Sequence, residues 1–391
     1  MSKETFFSIV IPTKNRPSYL RDAIRSVLAQ GFTDYELIVS DNFNDENTAQ
    51  VIAEFKAEPR LRSFRTDREL NMIDHWEFAT QKASGRYVIV LPDRKLLYRD
   101  ALQKLHRLIK GTKEQYNCIS YGVKCYDDIN KQMLWNPDTS NSKVLSSGEL
   151  AENFLSKNYF TSESFDNYFP KTLNSCYKRS FGEEVRKKLG SYFNNQGVTT
   201  PDYSSFFINI LLNEEILFSG FPFILSQGEH TSNGRNFGKG NIKSYMDSLG
   251  SIDPYEFVPV KAPFIYNLLV HDFMLVQHKL GMSRYKPEPL NYYYTNYYEY
   301  RFLKDKEPSN LYFLRELEKA LEAESKETRE RFTELKQASE ELESDVPVIG
   351  IRNLHLHIRD YLKHNYSHIG VVNRVVRHRF SSAMQAAGFK E

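Results

Sequence analysis

Cysteine is scarce: Cys118, Cys125 and Cys176 are the only three in 391 residues. They are odd in number and follow no CxxC or Cys/His spacing, which argues against a disulfide framework and against structural zinc. Free thiols in a reducing cytoplasm are the expectation. No run of about 18 apolar residues occurs, so no spanning helix is expected, and Met1–Thr5 lacks the basic and apolar regions of a secretory leader. Charge of one sign is missing as well. The 52 Lys and Arg stand against 50 Asp and Glu, a net charge of +2, which leaves no general footprint for nucleic acid. No GxGxxG motif follows the first strand-like run, and this counts against a dinucleotide fold.

What is present is the makings of a core: 40% of the residues are hydrophobic and 14% aromatic. The runs Phe6–Pro12 (FFSIVIP), Tyr35–Ser40 (YELIVS) and Tyr87–Leu91 (YVIVL) read as strands buried on both faces, with a shorter one near Ser63–Thr66. Between them, Leu20, Ala23, Ile24, Val27 and Leu28 give a helical face opened near Pro17 and stopped by Gly31. Asp45 is placed to cap a helix bearing Val51, Ile52 and Phe55, and a third helix is expected from about Met72 to Ala83. This alternation implies a mostly parallel sheet flanked by helices. Such sheets take ligands beyond the carboxyl ends of their strands. Those positions are polar here: Thr13, Lys14, Asn15 and Arg16, then Asp41 and Asn42, then Asp93, Arg94 and Lys95.

The stretch FSIVIPTKNRPSYLRDAIRSVLAQGFTDYELIVSDNFNDENT (Phe7–Thr48) resembles the opening of family 2 glycosyltransferases of the GT-A fold. The likeness continues through Asn71 and ASGRYVIVLPD (Ala83–Asp93), and more weakly through NSCYKRSF (Asn174–Phe181) and TPDYSSFFINILL (Thr200–Leu212). It ends near His230. The resemblance implies that Pro12, Thr13, Asn15, Arg16 and Asp41 hold the nucleotide, with Asp41 accepting from a base imide. A carboxylate is the right acceptor for the N3 hydrogen of uracil or thymine. A turn-capping role for Asp41 and a solvated helix start for Arg16 are the plainer alternatives. Asn71 matches an asparagine that in relatives lies near the nucleotide or the diphosphate-linked sugar, or else is a turn residue before the next helix. His75 and Trp76, on that helix, read as packing residues.

Relatives follow the YVIVL-type strand with a DxD cluster that holds a divalent metal. Here only Asp93 remains, followed by Arg94 and Lys95. Two outcomes follow. Asp93 can still hold a weak Mg2+ or Mn2+ ion with help from the diphosphate, the expectation favoured by ligand count, or Arg94 and Lys95 can face the phosphates directly, unless they form a solvated turn. The weaker motif segments place Asp202 as general base at a helix start, where it also suits an N-terminal cap. His230 falls where some relatives set a residue near the diphosphate or metal, or simply in a loop.

The reading is therefore an α/β GT-A type domain over residues 1–250, with a nucleotide-binding half 1–115 and an acceptor half 116–250. A helical region, 251–391, follows, with an apolar segment around Phe264–Leu280, a tyrosine-dense stretch at Tyr292–Tyr300 and a charged helix over about Leu311–Leu342. From Ile349, Arg352, Arg359, Lys363, Arg374, Arg377 and Arg379 among apolar residues suit a helix on an anionic membrane surface. Packing in a homo-oligomer explains them equally. The expected function is inverting sugar transfer from a nucleotide-sugar donor, with UDP favoured, to a glycan or glycoconjugate acceptor. The expected location is cytoplasmic, at or near the inner face of the membrane. A non-catalytic nucleotide- or glycan-binding relative and a nucleotidyltransferase are the rivals.

Overall fold

A computed structural model describes residues 4–43, 46–127, 129–135, 141–156, 168–193, 197–228, 246–247, 252–303, 311–344 and 382–389. The first units alternate as the sequence indicates: β1 (Phe7–Thr13), α1 (Pro17–Leu28), β2 (Tyr35–Asp41), α2 (Glu46–Glu54), β3 (Leu61–Arg65), α3 (Met72–Thr80) and β4 (Tyr87–Val90). Asp45, expected to cap α2, lies outside the described residues. All seven residues of β1 and of β2 are buried. The two-residue period of β1 sorts its side chains into two layers. Phe7, Ile9 and Ile11 join Leu20, Ile24 and Val27 of α1, whereas Val10 joins Ile38, Val88, Val90 and Trp76 on the other face.

The chain continues through β5 (Lys95–Leu97), α4 (Ala101–Gly111), β6 (Cys118–Asp127), β7 (Gln132–Trp135), β8 (Lys143–Ser146), α5 (Ser147–Ser156), a 3-10 turn (Thr172–Asn174), β9 (Ser175–Lys178), α6 (Arg179–Leu189), α7 (Pro201–Leu212) and β10 (Glu215–Ser226). The sheet order is β3-β2-β1-β4-β9-β6-β10-β5, with β7 beside β6 and β8 beside β10. Pairing is parallel from β3 to β4 and between β6 and β10, and antiparallel elsewhere. The α/β class holds, and the sheet is mixed: its first half, β3-β2-β1-β4, is parallel, while β9 runs backward and joins that half to the rest. One close approach fixes this half. A Cβ at Gly85 would meet the Phe7 carbonyl carbon and Ser8 Oγ at 2.8 Å, and the Gly85 N–H donates to Ser8 Oγ at 2.8 Å.

Helices follow: α8 (Ile265–Lys279), α9 (Pro289–Leu303), α10 (Leu311–Leu321), α11 (Lys326–Ser344) and the turn α12 (Ala383–Ala386). The single charged helix expected over Leu311–Leu342 is two helices. Ser325 accepts on Oγ from the Thr328 N–H at 3.1 Å, and the Arg329 guanidinium caps the Glu322 and Glu324 carbonyls at 2.9 Å. A serine cap followed by an arginine reaching back stops one helix and starts the next. The change of class near residue 250 is not a break in the core. Phe154 of α5, Phe207 of α7 and Phe273 of α8 pack ring to ring, with Phe154–Phe207 at 4.9 Å and Phe207–Phe273 at 5.1 Å, inside a cluster that extends to Leu317 and Phe332. No described helix is long and apolar enough to cross a membrane. The basic stretch from Ile349 falls outside the described residues up to 381. All three cysteines are free thiols, and burial pushes Cys118 up to about 12.

Candidate active site

The parallel register sets Thr13 opposite Asp41, and β1 leaves β4 at Val10↔Val90. The carboxyl ends of β1, β2 and β4 therefore form one polar edge. Pro12 and Thr13 are buried at the end of β1. Asn15 follows in the left-handed region, with φ of 55°, a conformation that asparagine tolerates better than most residues. Across this edge the Thr13 hydroxyl donates to Asp93 Oδ2 at 2.9 Å, and Arg16 Nη1 faces Asp93 Oδ1 at 3.4 Å. Burial raises the Asp93 carboxyl above its ordinary value, and Arg16 and Thr13 pull it back. Arg16 still shows about a third of its side chain to solvent.

Asp41 is 2% exposed. Arg65 Nε lies 3.9 Å from its Oδ2. Beside them Phe43, exposed by 51%, holds φ of 53°, and Arg65 sits 5.8 Å over its ring. A bulky residue at positive φ with a half-exposed ring is strained backbone at a strand end. Asn42, in contrast, is structural: its amide donates to the Leu70 carbonyl at 2.7 Å and accepts from the Leu70 N–H at 2.9 Å. Behind Asp41, Ser40 Oγ meets His75 Nε2 at 2.9 Å. Burial and the Lys14 charge lower the His75 ring to about 4, so His75 is a neutral packing residue, as is the buried Trp76.

Asn71 caps α3: its Oδ1 accepts from the Asp74 N–H at 2.8 Å and its Nδ2 donates to Asp74 Oδ2 at 2.9 Å. Both ends of that amide serve the helix. Arg94 turns away from the edge, with Nη1 donating to the Gly228 carbonyl at 2.9 Å, and Lys95 is buried with Nζ 3.3 Å from Ser226 Oγ. Both belong to the β5–β10 seam, since Lys95 pairs with Ser226. The sequence signal missed this because a three-residue strand with a basic start looks like a turn.

Asp202 stands in the first turn of α7, partly buried. β9 runs antiparallel to β4 with Ile89 opposite Cys176, so the turn Thr172–Asn174 lies at the carboxyl end of β4. Ser205 joins that turn to α7: its Oγ accepts from the Thr172 N–H at 2.9 Å and donates to the Asp202 carbonyl at 2.6 Å. The start of α7 thus sits at the sheet edge that carries Thr13, Asp41 and Asp93. His230 lies outside the described residues.

A divalent ion fits this donor set poorly. Asp93 is the lone carboxylate after β4, its two oxygens are met by Thr13 and Arg16, and among the described residues no cluster of three His, Cys, Asp or Glu is placed to hold a metal. The arginine already brings positive charge to the carboxylate. Sequence reasoning also missed Glu77 of α3. Its carboxylate accepts from Arg186 Nε at 2.6 Å, from Ser191 Oγ at 2.9 Å and from the Tyr192 and Phe193 N–H groups at 2.9 and 3.0 Å.

Residues 8–184 match the family model described as Glycosyl transferase family 2. Over 100 residues the chain is 32% identical to a GalNAc(5)-diNAcBac-PP-undecaprenol beta-1,3-glucosyltransferase of Campylobacter jejuni, covering 25% of this chain and 32% of that one. Over 121 residues it is 26% identical to a putative teichuronic acid biosynthesis glycosyltransferase of Bacillus subtilis, covering 31% and 48%. These stretches span less than half the length of either relative. Among solved structures, S. aureus TarS 1-349 in complex with UDP-GlcNAc is similar over 76% of this chain and 81% of that one, at 12% identity and a TM-score of 0.47. A mannosyltransferase of Pyrobaculum calidifontis, in complex with GDP-Man and Mn2+, is similar over 94% and 89%, at 13% identity and a TM-score of 0.44. Residues 8–184, which carry the strand-end edge with Thr13, Asp41 and Asp93, are thus the part of the chain that is similar to glycosyl transferase family 2, and Asp202 lies just beyond it.

Proposed function

We propose that this protein transfers a sugar from a nucleoside diphosphate donor, UDP-linked by preference, to a hydroxyl of a glycan or glycoconjugate, with inversion at the anomeric carbon. The observation that carries this is the meeting of the buried acid Asp41, the Thr13–Asp93–Arg16 group and the first turn of α7 at one sheet edge inside or beside the part similar to family 2. Asp41 accepts the base imide, and the exposed ring of Phe43 offers the base a stacking face. Asp202 takes the proton of the acceptor hydroxyl as its oxygen bonds to the anomeric carbon and the bond from that carbon to the diphosphate oxygen breaks. Negative charge grows on the departing diphosphate. Arg16, which Asp93 orients, is the cation best placed to meet it.

The test is UDP release from UDP-glucose and UDP-N-acetylglucosamine, measured beside UDP affinity. Asp202→Asn is expected to lower turnover by roughly 10²- to 10⁴-fold with UDP affinity kept, and Asp41→Ala to weaken UDP binding in a folded protein. Full turnover in Asp202→Asn sinks the base assignment. A wild type that binds UDP tightly and releases none from either donor supports the second reading, a binding relative without transfer.

A further inference from the structure

The helical region touches the start of α7 through a buried carboxylate. Asp272 lies in α8 within the mostly apolar run YNLLVHDFMLVQ and is 0% exposed. Its Oδ1 accepts from the Thr199 N–H at 2.7 Å and from Thr199 Oγ1 at 3.1 Å, and its Oδ2 accepts from the Thr200 N–H at 2.8 Å and from Thr200 Oγ1 at 2.6 Å. All four lone-pair positions of a carboxylate are used. The preceding residue does similar work: His271 Nε2 meets the Gly197 carbonyl at 3.1 Å. Gly197 holds φ of 107°, and Leu275 would stand 3.1 Å from any Cβ there.

Thr200 is the N-cap residue of α7, Pro201 is its first helical residue, and Asp202 follows. A threonine in that position ordinarily turns its hydroxyl onto its own helix. Here it makes no such bond and gives the hydroxyl to Asp272. The direction in which α7 sets out is therefore fixed from α8.

We propose that Asp272 is a positioning residue for sugar transfer, clamping the Thr199–Thr200 turn so that Asp202 is held at the sheet edge. This rests on the reading of Asp202 as the base. It gives the helical region a part in the reaction that the family match, which ends at residue 184, does not assign. A base must be placed to a fraction of an ångström, and a shift of about 1 Å costs roughly 100-fold. Asp272→Asn keeps the shape but turns one acceptor into an amide that faces donors. Thr200→Val removes one hydroxyl and leaves Asp272 in place, and Thr200→Ser keeps that hydroxyl.

The experiment compares these three variants with Asp202→Asn in the full chain. It measures hydrogen exchange, UDP affinity, and UDP release from UDP-glucose and UDP-N-acetylglucosamine. In Asp272→Asn, exchange is expected to quicken across residues 197–205 but not in β1 or β2, and turnover to fall roughly 10- to 100-fold with UDP affinity within about twofold of wild type. Thr200→Val is expected to show a smaller loss of the same kind, and it carries the test if Asp272→Asn fails to fold. Thr200→Ser should stay near wild type. Unchanged exchange over 197–205 overturns the clamp. Full turnover in Asp272→Asn, while Asp202→Asn loses its own, overturns the positioning role and leaves the base assignment standing. A fall in UDP affinity that matches the fall in turnover marks general unfolding and overturns it too. Full turnover in Asp202→Asn removes the base and the catalytic role of the clamp with it, a failure recognisable because exchange over 197–205 would still quicken in Asp272→Asn.

Discussion

Acidification is expected to strip stability from this protein through His75, and His75→Gln is expected to remove that component. The ring is 4% exposed and is held against Ser40 Oγ at 2.9 Å. Burial, reinforced by the Lys14 charge, lowers it from 6.5 to about 4. The unfolded chain therefore binds the proton first, so the contribution is complete above the unfolded value and is lost as pH falls toward the folded one. Linkage over that interval gives a loss of about 2 kcal/mol between about pH 7.5 and about pH 5. Glutamine keeps a hydrogen-bonding group near Ser40 and does not titrate. Urea unfolding of both proteins across this range, read as the difference in stability at each pH, isolates the histidine. Asp272 and Glu299, raised by burial to about 7 and about 8, act in the opposite direction: they favour the fold at low pH and lose that contribution as pH rises. Being common to both proteins, they cancel in the difference. A difference that stays flat from about pH 7.5 to about pH 5 would refute the picture of a neutral imidazole packed behind Asp41.

The remaining expectations concern charge and the core. Turnover should persist in excess chelator, since Thr13 and Arg16 already meet the Asp93 carboxylate, whereas Arg16→Ala should lower it by roughly 10-fold or more. Loss of activity on chelation with recovery in Mn2+ would favour the ion instead. A chain cut before Asp253 should aggregate, because it uncovers the faces of Phe154 and Phe207 that Tyr266 and Phe273 now pack against. A soluble, monomeric fragment that binds UDP would show that the helices are dispensable to the fold.

The parallel half of the sheet was legible because buried parallel strands write themselves as apolar runs: FFSIVIP, YELIVS and YVIVL fall on β1, β2 and β4. Their polar ends marked the edge, and Thr13, Arg16, Asp41 and Asp93 do meet there. Arg94 and Lys95 misled, since a loop in sequence was a strand seam in space. Asn71 showed a polar residue at a helix start without showing that Asp74 would occupy it. Asp272 was legible only as an acid inside a mostly apolar helical run, whose four donors lie about 70 residues earlier in the chain. Pairing over that distance leaves no local pattern.

The edge strand β5 ends the sheet order with one neighbour, β10. Residues 382–389 pack beside it: Ala383, Ala386 and Ala387 join Leu96 and Leu225 in a small core, and just past the strand the Arg99 N–H donates to the Ala387 carbonyl at 3.0 Å. Contacts between residues nearly three hundred positions apart form late, whether on the ribosome or after dilution from denaturant. Until then Leu96 and Leu225 lack their alanine cover and offer an apolar face to other chains, although the Lys95 and Leu97 N–H groups are already held by the Pro92 carbonyl at 2.8 Å and by Ser26 Oγ at 3.1 Å. Folding yield, more than final stability, is therefore where changes near Ala387 would be felt.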